Sequence, residues 1–425
     1  MLRNKKIIGF DSWLGGVDSY QRLVSPLKKI GIKLTLVHIS SWGNDVNTDA
    51  ESWVGNLHTR DIKYYGGRRF ERVLDVEKPD AVIFTSTDTF AHRAFNRYCN
   101  ERNIPTLNLY HGVRSVIDSD DDLGSPKIPL KAYIKNLLSK IGKLLRYTLP
   151  VYSLALFKTK ATSSEWLRFY SDTFKLAIGR DPAYVKASRD SKTTKCAVYV
   201  QSDVGHAMTC YGLEKENIYV VGNPDFNHFG LKHDMIGNWK SDDNSLVKTI
   251  MYIETGYSSC GFYYSGTRDF IGHLESTSKS LSQQGYKILV KLKPRQLDSD
   301  EVRKALIDAK IEIVENEDFL LRLRKCSGCI AERTSLAILP ALIGIPIFLV
   351  KYGPLNPVAY GKVLKSYPRS TELYDINAFS KTLRKIREKS NKSELSDWID
   401  ANAGPMPFEL MPDRVVSILD EMISK

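Results

Sequence analysis

Residues 329–350 read CIAERTSLAILPALIGIPIFLV, and the fold is most legible here. An apolar, strand-like run (329–331) is followed by an apolar run of helical length (335–343). The turn Gly344-Ile345-Pro346 then leads into a second strand, 346–350. Strand, helix and strand joined by such short connections imply a parallel pair with the helix crossing over it. Glu332-Arg333-Thr334-Ser335 stands between the first strand and the helix, with Thr334 or Ser335 as N-cap. The first amides of a helix lack intrahelical acceptors, so such a start attracts anions.

The same alternation runs outward in both directions. Strands are predicted at 249–253, 287–291 and 311–314, with helices at 270–284, 300–309 and 317–325. Nearer the N-terminus, strands are predicted at 7–10, 34–39, 81–85, 106–110, 197–200 and 218–221. A helix follows Gly15-Gly16 through Tyr20, Leu23, Leu27 and Ile30, and another spans 90–100. The chain therefore reads as α/β, with two Rossmann-like, doubly wound parallel sheets, and its 425 residues suit two cores. The expected divisions are 1–230 with a helical insertion at 125–190, then 231–395, with the polar stretch 232–244 as linker. A tail at 396–425 is expected to brace the first domain.

A formal net charge of +12 points to anionic partners. No paired zinc ligands, RNA-binding aromatic signature or helix-turn-helix accompanies it, so no nucleic acid is expected. Cys326 and Cys329 have C-x-x-C spacing without a second pair and read as small core residues. No segment has the length of a bilayer span, and a cytoplasmic protein is expected. Across 130–157, Leu130, Ile134, Leu137, Leu138, Ile141, Leu144 and Leu145 recur at helical spacing among lysines, before an apolar run at 149–157. Such a segment fits two arrangements: a helix packed on its own domain, or one lying on the inner leaflet of a membrane.

Candidate chemistry falls at strand ends, where open α/β sheets bind ligands. Gly15-Gly16 opens the first helix. Tyr110-His111-Gly112 closes a strand, and His111 reads either as a base or as a satisfied core histidine. Gly222-Asn223-Pro224-Asp225 is a rigid turn that holds Asp225. Glu165 at a capped helix start and Asp203 after a strand are the other carboxylates able to act as base or nucleophile. In the second half, the backbone amides of Thr255, Gly256 and Tyr257 are candidates for a phosphate. Lys291, Lys293 and Arg295 bring three cations to one strand end, and Glu332, Thr334 and Ser335 complete the set. The run Asp118, Asp120, Asp121 and Asp122 reads as a solvated loop, so neither a metal nor a cofactor is expected.

The order His111-Gly112, Gly222-Asn223-Pro224-Asp225, Lys291-Leu292-Lys293-Pro294-Arg295 and Glu332-Arg333-Thr334-Ser335 resembles bacterial GT-B transferases of capsule, lipopolysaccharide and teichoic-acid assembly. The nearest likenesses are CMP-Kdo and CMP-sialic acid transferases and CDP-glycerol glycerophosphotransferases. The resemblance implies a nucleotide-sugar donor on the second domain and a glycan or glycolipid acceptor near His111, Gly15 and Gly16. The 130–157 segment adds the expectation of a peripheral place at the inner membrane. Where those families carry His-Pro at the donor phosphate this chain has Lys293-Pro294, which keeps a cation and loses a titratable acid; Thr334-Ser335 stands for their serine pair. The implied activity is transfer of Kdo or a related acidic sugar from a CMP donor, with a UDP-hexose or CDP-polyol donor, or a nucleotide-sugar epimerase, as alternatives.

Overall fold

In a computed structural model the described residues are 5–12, 17–43, 48–113, 141–177, 190–240, 248–260, 263–389 and 391–424. Gly15, Gly16, the aspartates at 118–122 and the first part of the 130–157 segment lie outside them.

Two sheets form. The first has eight strands in the order β3-β4-β2-β1-β5-β6-β7-β8. Here β1 is Lys6–Asp11, β2 Lys33–His38, β3 Glu51–Val54, β4 Leu57–Asp61, β5 Ala81–Phe84, β6 Thr106–Leu109, β7 Lys195–Val198 and β8 Ile218–Val220. All neighbours are parallel except the β3–β4 hairpin. That hairpin was not expected from the sequence. Its alternating burial shows one face turned to the domain, and β4 pairs with β2 in parallel. The second sheet has six parallel strands in the order β11-β10-β9-β12-β13-β14. These are β9 Lys248–Ile253, β10 Tyr286–Lys291, β11 Glu312–Ile313, β12 Gly328–Ala331, β13 Ile347–Val350 and β14 Ser370–Leu373. The edge strand β14 was also missed; its burial is only partial, so its apolar signal is weak.

Central strands buried on both faces account for the continuous apolar runs of the sequence. Every residue of β5, β6, β12 and β13 is buried. Both sheets reverse their strand order once, between β1 and β5 in the first and between β9 and β12 in the second. The crevice at the carboxyl ends of such a reversal is the ligand site of open α/β sheets.

The chain's tail spans both halves. Helix Lys392–Ala403 lies on the second, where Trp398 Nε1 donates to Val363 O at 3.1 Å. Helix Met411–Ser424 packs along helix Val17–Lys29 of the first, and Glu421 pairs with Lys195 at 2.5 Å. Where the segment expected to be amphipathic is described, it packs on its own domain. In helix Leu149–Lys158, Val151, Tyr152, Ala155 and Leu156 are buried against helix Phe90–Glu101, while Phe157 is exposed. None of the helices, among the described residues, is long and apolar enough to cross a membrane.

Candidate active site

At the first reversal point, β1 ends on Asp11 and β5 runs into Thr85. Asp11 is 4% exposed; its Oδ2 accepts from Thr85 Oγ1 at 2.7 Å and its Oδ1 from Ser12 N at 2.6 Å. His111 follows β6 on the next strand and is exposed. Its Nδ1 lies 3.2 Å from Thr85 O, and since a carbonyl only accepts, Nδ1 is the donor. A neutral ring bonded this way keeps its lone pair on Nε2. Asp11, Thr85 and His111 thus form one chain across three adjacent strand ends. Nothing in the local sequence links Asp11 to a histidine 100 positions away. Behind them His92 is fully buried; burial holds its pKa below the usual value, although Asp11 and Asp88 act in the opposite sense.

The other three carboxylate candidates are dispersed. Asp225 accepts from Arg22 Nη2 at 2.9 Å on helix Val17–Lys29, and Asn223 caps the short helix Pro224–His228 by accepting from Asp225 N. Gly222 has φ +93°, and a Cβ there would lie 2.9 Å from Pro405 O, so the tail clamps this turn. Glu165 pairs with Arg97 at 2.7 Å, and that hydrogen-bonded guanidinium holds its pKa down to about 2. Asp203 is fully buried in the first turn of helix Asp203–Tyr211.

On the second sheet the reversal point gathers the loops after β9, β10 and β12. Thr255, Lys293, Thr334 and Ser335 line it, and Thr334 is the N-cap, accepting from Leu336 N at 3.3 Å. The run it caps begins as a 3-10 turn, Ser335–Ala337, before the helix Ile338–Ile343. Lys293 is exposed. The Thr255 hydroxyl is buried and has no hydrogen-bond partner among the described residues. Tyr257 is half-buried, and burial raises its pKa. Three expectations need correction. Glu332, read as part of the donor set, is 0% exposed and bonds Thr255 N from beneath the loop. Lys291 is 2% exposed and turns inward, its Nζ donating to Asn316 Oδ1 at 2.6 Å; burial lowers its pKa. The amides of Thr255 and Gly256, read as a phosphate cradle, are already bonded to Glu332 and Glu254. The side chain of Arg295 lies outside the described set.

The two halves meet at these ends. A Cβ on Gly112, next to His111, would stand 3.9 Å from Ser335 Oγ. The sequence motifs from opposite halves of the chain therefore face each other across one cleft.

The sequence matches no protein-family model, and no curated protein sequence matches it. Solved structures do resemble it. The calicheamicin glycosyltransferase CalG4 superposes with TM-score 0.53 at 11% identity, over 100% of this chain and 99% of that one. The wall teichoic acid polymerase TagF, as its H548A variant, gives 0.50 at 11% identity, over 99% and 89%. A Staphylococcus aureus MnaA–UDP co-structure gives 0.48 at 13% identity, over 99% and 97%. Likeness at this identity is likeness of fold, and with the two parallel sheets and their facing reversal points it establishes that the chain has the GT-B fold.

Proposed function

We propose that this protein is a glycosyltransferase that moves a sugar from a nucleotide donor held by the second domain to an acceptor held by the first. The observation that carries the reading is the placing of Gly112 against Ser335, which brings the exposed His111 to the rim of the Thr334–Ser335 helix start. A cation on Lys293, the hydroxyls of Thr334 and Ser335 at the start of the turn and the unpartnered Thr255 hydroxyl offer the donor phosphates charge and hydrogen bonds. His111 Nε2 is the base toward the acceptor hydroxyl, with Asp11 and Thr85 fixing the ring. We assign the base role to His111 ahead of Asp225, whose charge faces Arg22.

The donor is read as a CMP-activated acidic sugar such as Kdo, with UDP-hexose and CDP-polyol donors as alternatives, and the acceptor as a bacterial surface glycan or glycolipid. The resemblance of Lys293-Pro294 and Thr334-Ser335 to the donor motifs of that family supports this choice. The exposed Phe157, Leu167, Tyr170 and Phe174, beside Lys158, Lys160 and Arg168, support a seat on an anionic membrane.

The test titrates CMP, CDP and UDP against wild type, Lys293→Ala and His111→Asn. Lys293→Ala is expected to weaken the preferred nucleotide by roughly tenfold or more, as for a lost charge-assisted contact. His111→Asn should bind it normally and lose about 10²–10⁴ in turnover, the usual reach of a general base. Unchanged affinity in Lys293→Ala would remove the donor from this loop.

A further inference from the structure

Two carboxyl groups sit directly beneath the donor side of the cleft. Glu254 follows β9 and Glu332 follows β12, one on each side of the second sheet's reversal point, and they are 2% and 0% exposed. Among the described residues neither is in an ion pair. Glu254 instead accepts from two backbone amides on different loops, Gly256 N and, at 3.2 Å, Lys293 N. Glu332 accepts from Thr255 N at 2.9 Å, and its other oxygen lies 2.8 Å from Tyr252 Oη and 3.2 Å from Tyr264 Oη. Together they bond the backbones of residues 255, 256 and 293, the loops that carry Thr255 and Lys293 toward the cleft.

We propose that Glu254 and Glu332 are positioning residues, a paired clamp that ties the loops after β9 and β10 to the strand ends and thereby sets donor affinity without touching the donor. This rests on the reading that the nucleotide binds there.

The clamp works because one member holds a proton. Burial, with the neighbouring Glu254, pushes Glu332 up to about 8; burial also raises Glu254, against the amides of Lys293 and Gly256 and the charge of Lys293. Two adjacent carboxylates in a desolvated site do not both ionise readily. Glu254, with its amide donors, carries the charge, and Glu332, deeper among phenols, carries the proton. The other groups around them do not titrate near neutrality. Burial raises Tyr252, Tyr264, Tyr257, Tyr352 and Tyr360. It lowers His273, 3.4 Å from Tyr252 Oη, to about 4, so that imidazole is neutral. Lys293 and Arg333 supply the nearby positive charge. Losing the Glu332 proton puts a second negative charge under a site for an anionic ligand.

Three measurements test this. Hydrogen exchange at the amides of Thr255, Gly256 and Lys293 should be slow in wild type, and Glu254→Gln, which removes one of two acceptors, should speed Gly256 or Lys293; unaltered exchange in a folded Glu254→Gln overturns the clamp, whatever binds. Thermal scans test the proton. A carboxyl whose folded pKa is raised loses stability as pH climbs from its unfolded value of 4.5 through about 8. Glu332→Gln mimics the protonated form, so its Tm advantage over wild type should be nil near pH 4.5 and reach several degrees by pH 8.5. Identical pH profiles would overturn the assignment. Finally, wild-type affinity for UDP, CDP or CMP should fall by roughly tenfold between pH 7 and 9 from one added charge nearby, and Glu332→Gln should abolish that fall; a pH-independent wild-type affinity overturns the coupling to the donor. If no nucleotide binds wild type while exchange and Tm behave as stated, the proposed function falls and the donor role of the clamp falls with it. A failed exchange or Tm result beside normal nucleotide binding removes the clamp alone.

Discussion

Replacing Arg97 with methionine removes a cation that joins three parts of the first domain. The guanidinium is 5% exposed on helix Phe90–Glu101; Nη1 lies 2.7 Å from Glu165 and 2.8 Å from Asp190, and Nε bonds Thr159. Asp190 is 8% exposed and, among the described residues, would keep Tyr152 alone as a side-chain donor. Stranding a buried carboxylate costs about 3–5 kcal/mol. Glu165 adds less, since its side chain is 22% exposed and partly screened; about 1 kcal/mol is a fair share. Methionine fills the aliphatic volume, so little cavity term is added. A loss of ~5 kcal/mol in a domain of this size lowers Tm by roughly 10–20 °C. The pH dependence has a definite sign. Glu165 is held down to about 2 from 4.5, so its contribution is present above pH 4.5 and is lost as pH falls toward 2. The gap between wild type and Arg97→Met should therefore be widest at pH 6–7 and narrow between pH 4.5 and 3. Urea unfolding monitored by circular dichroism at pH 7, 4.5 and 3.5 reads both effects. A cost under about 1 kcal/mol at pH 7, or a gap that does not change with acid, would refute the network as described.

Gly222→Ala should detach the tail from the turn, because φ +93° disfavours a side chain and the new methyl meets the Pro405 carbonyl at 2.9 Å. A loss of about 1–3 kcal/mol, with proteolysis sites appearing around residues 404–411, is expected; wild-type stability would show that the tail is not clamped there. In flotation, vesicles with anionic lipid should carry the protein and neutral ones should not, at roughly 1 kcal/mol per basic side chain near the surface. Phe157→Ser with Leu167→Ser should reduce that recovery, and equal recovery on both vesicle types would remove the membrane from the reading.

Much of the fold follows from short-range rules. Doubly buried strands such as Ile347–Val350 announce themselves as apolar runs, and a glycine or proline punctuates most crossovers, so strand–helix alternation can be read residue by residue. The Thr334 cap and the exposed Lys293 were legible for the same reason: an N-cap and a strand end are local features. The hairpin β3–β4 and the edge strand β14 were not, since edge strands are half solvated and lose the apolar signature. The tertiary structure alone decided which polar groups meet. Asp11 joins His111 because β5 lies between β1 and β6, and Lys291 turns inward onto Asn316. Glu254 and Glu332 come together because β9 and β12 are neighbours although nearly 80 residues separate them. Periodicity records which face of a strand is buried; strand order, a long-range product of crossover packing, decides whose side chain stands next to it.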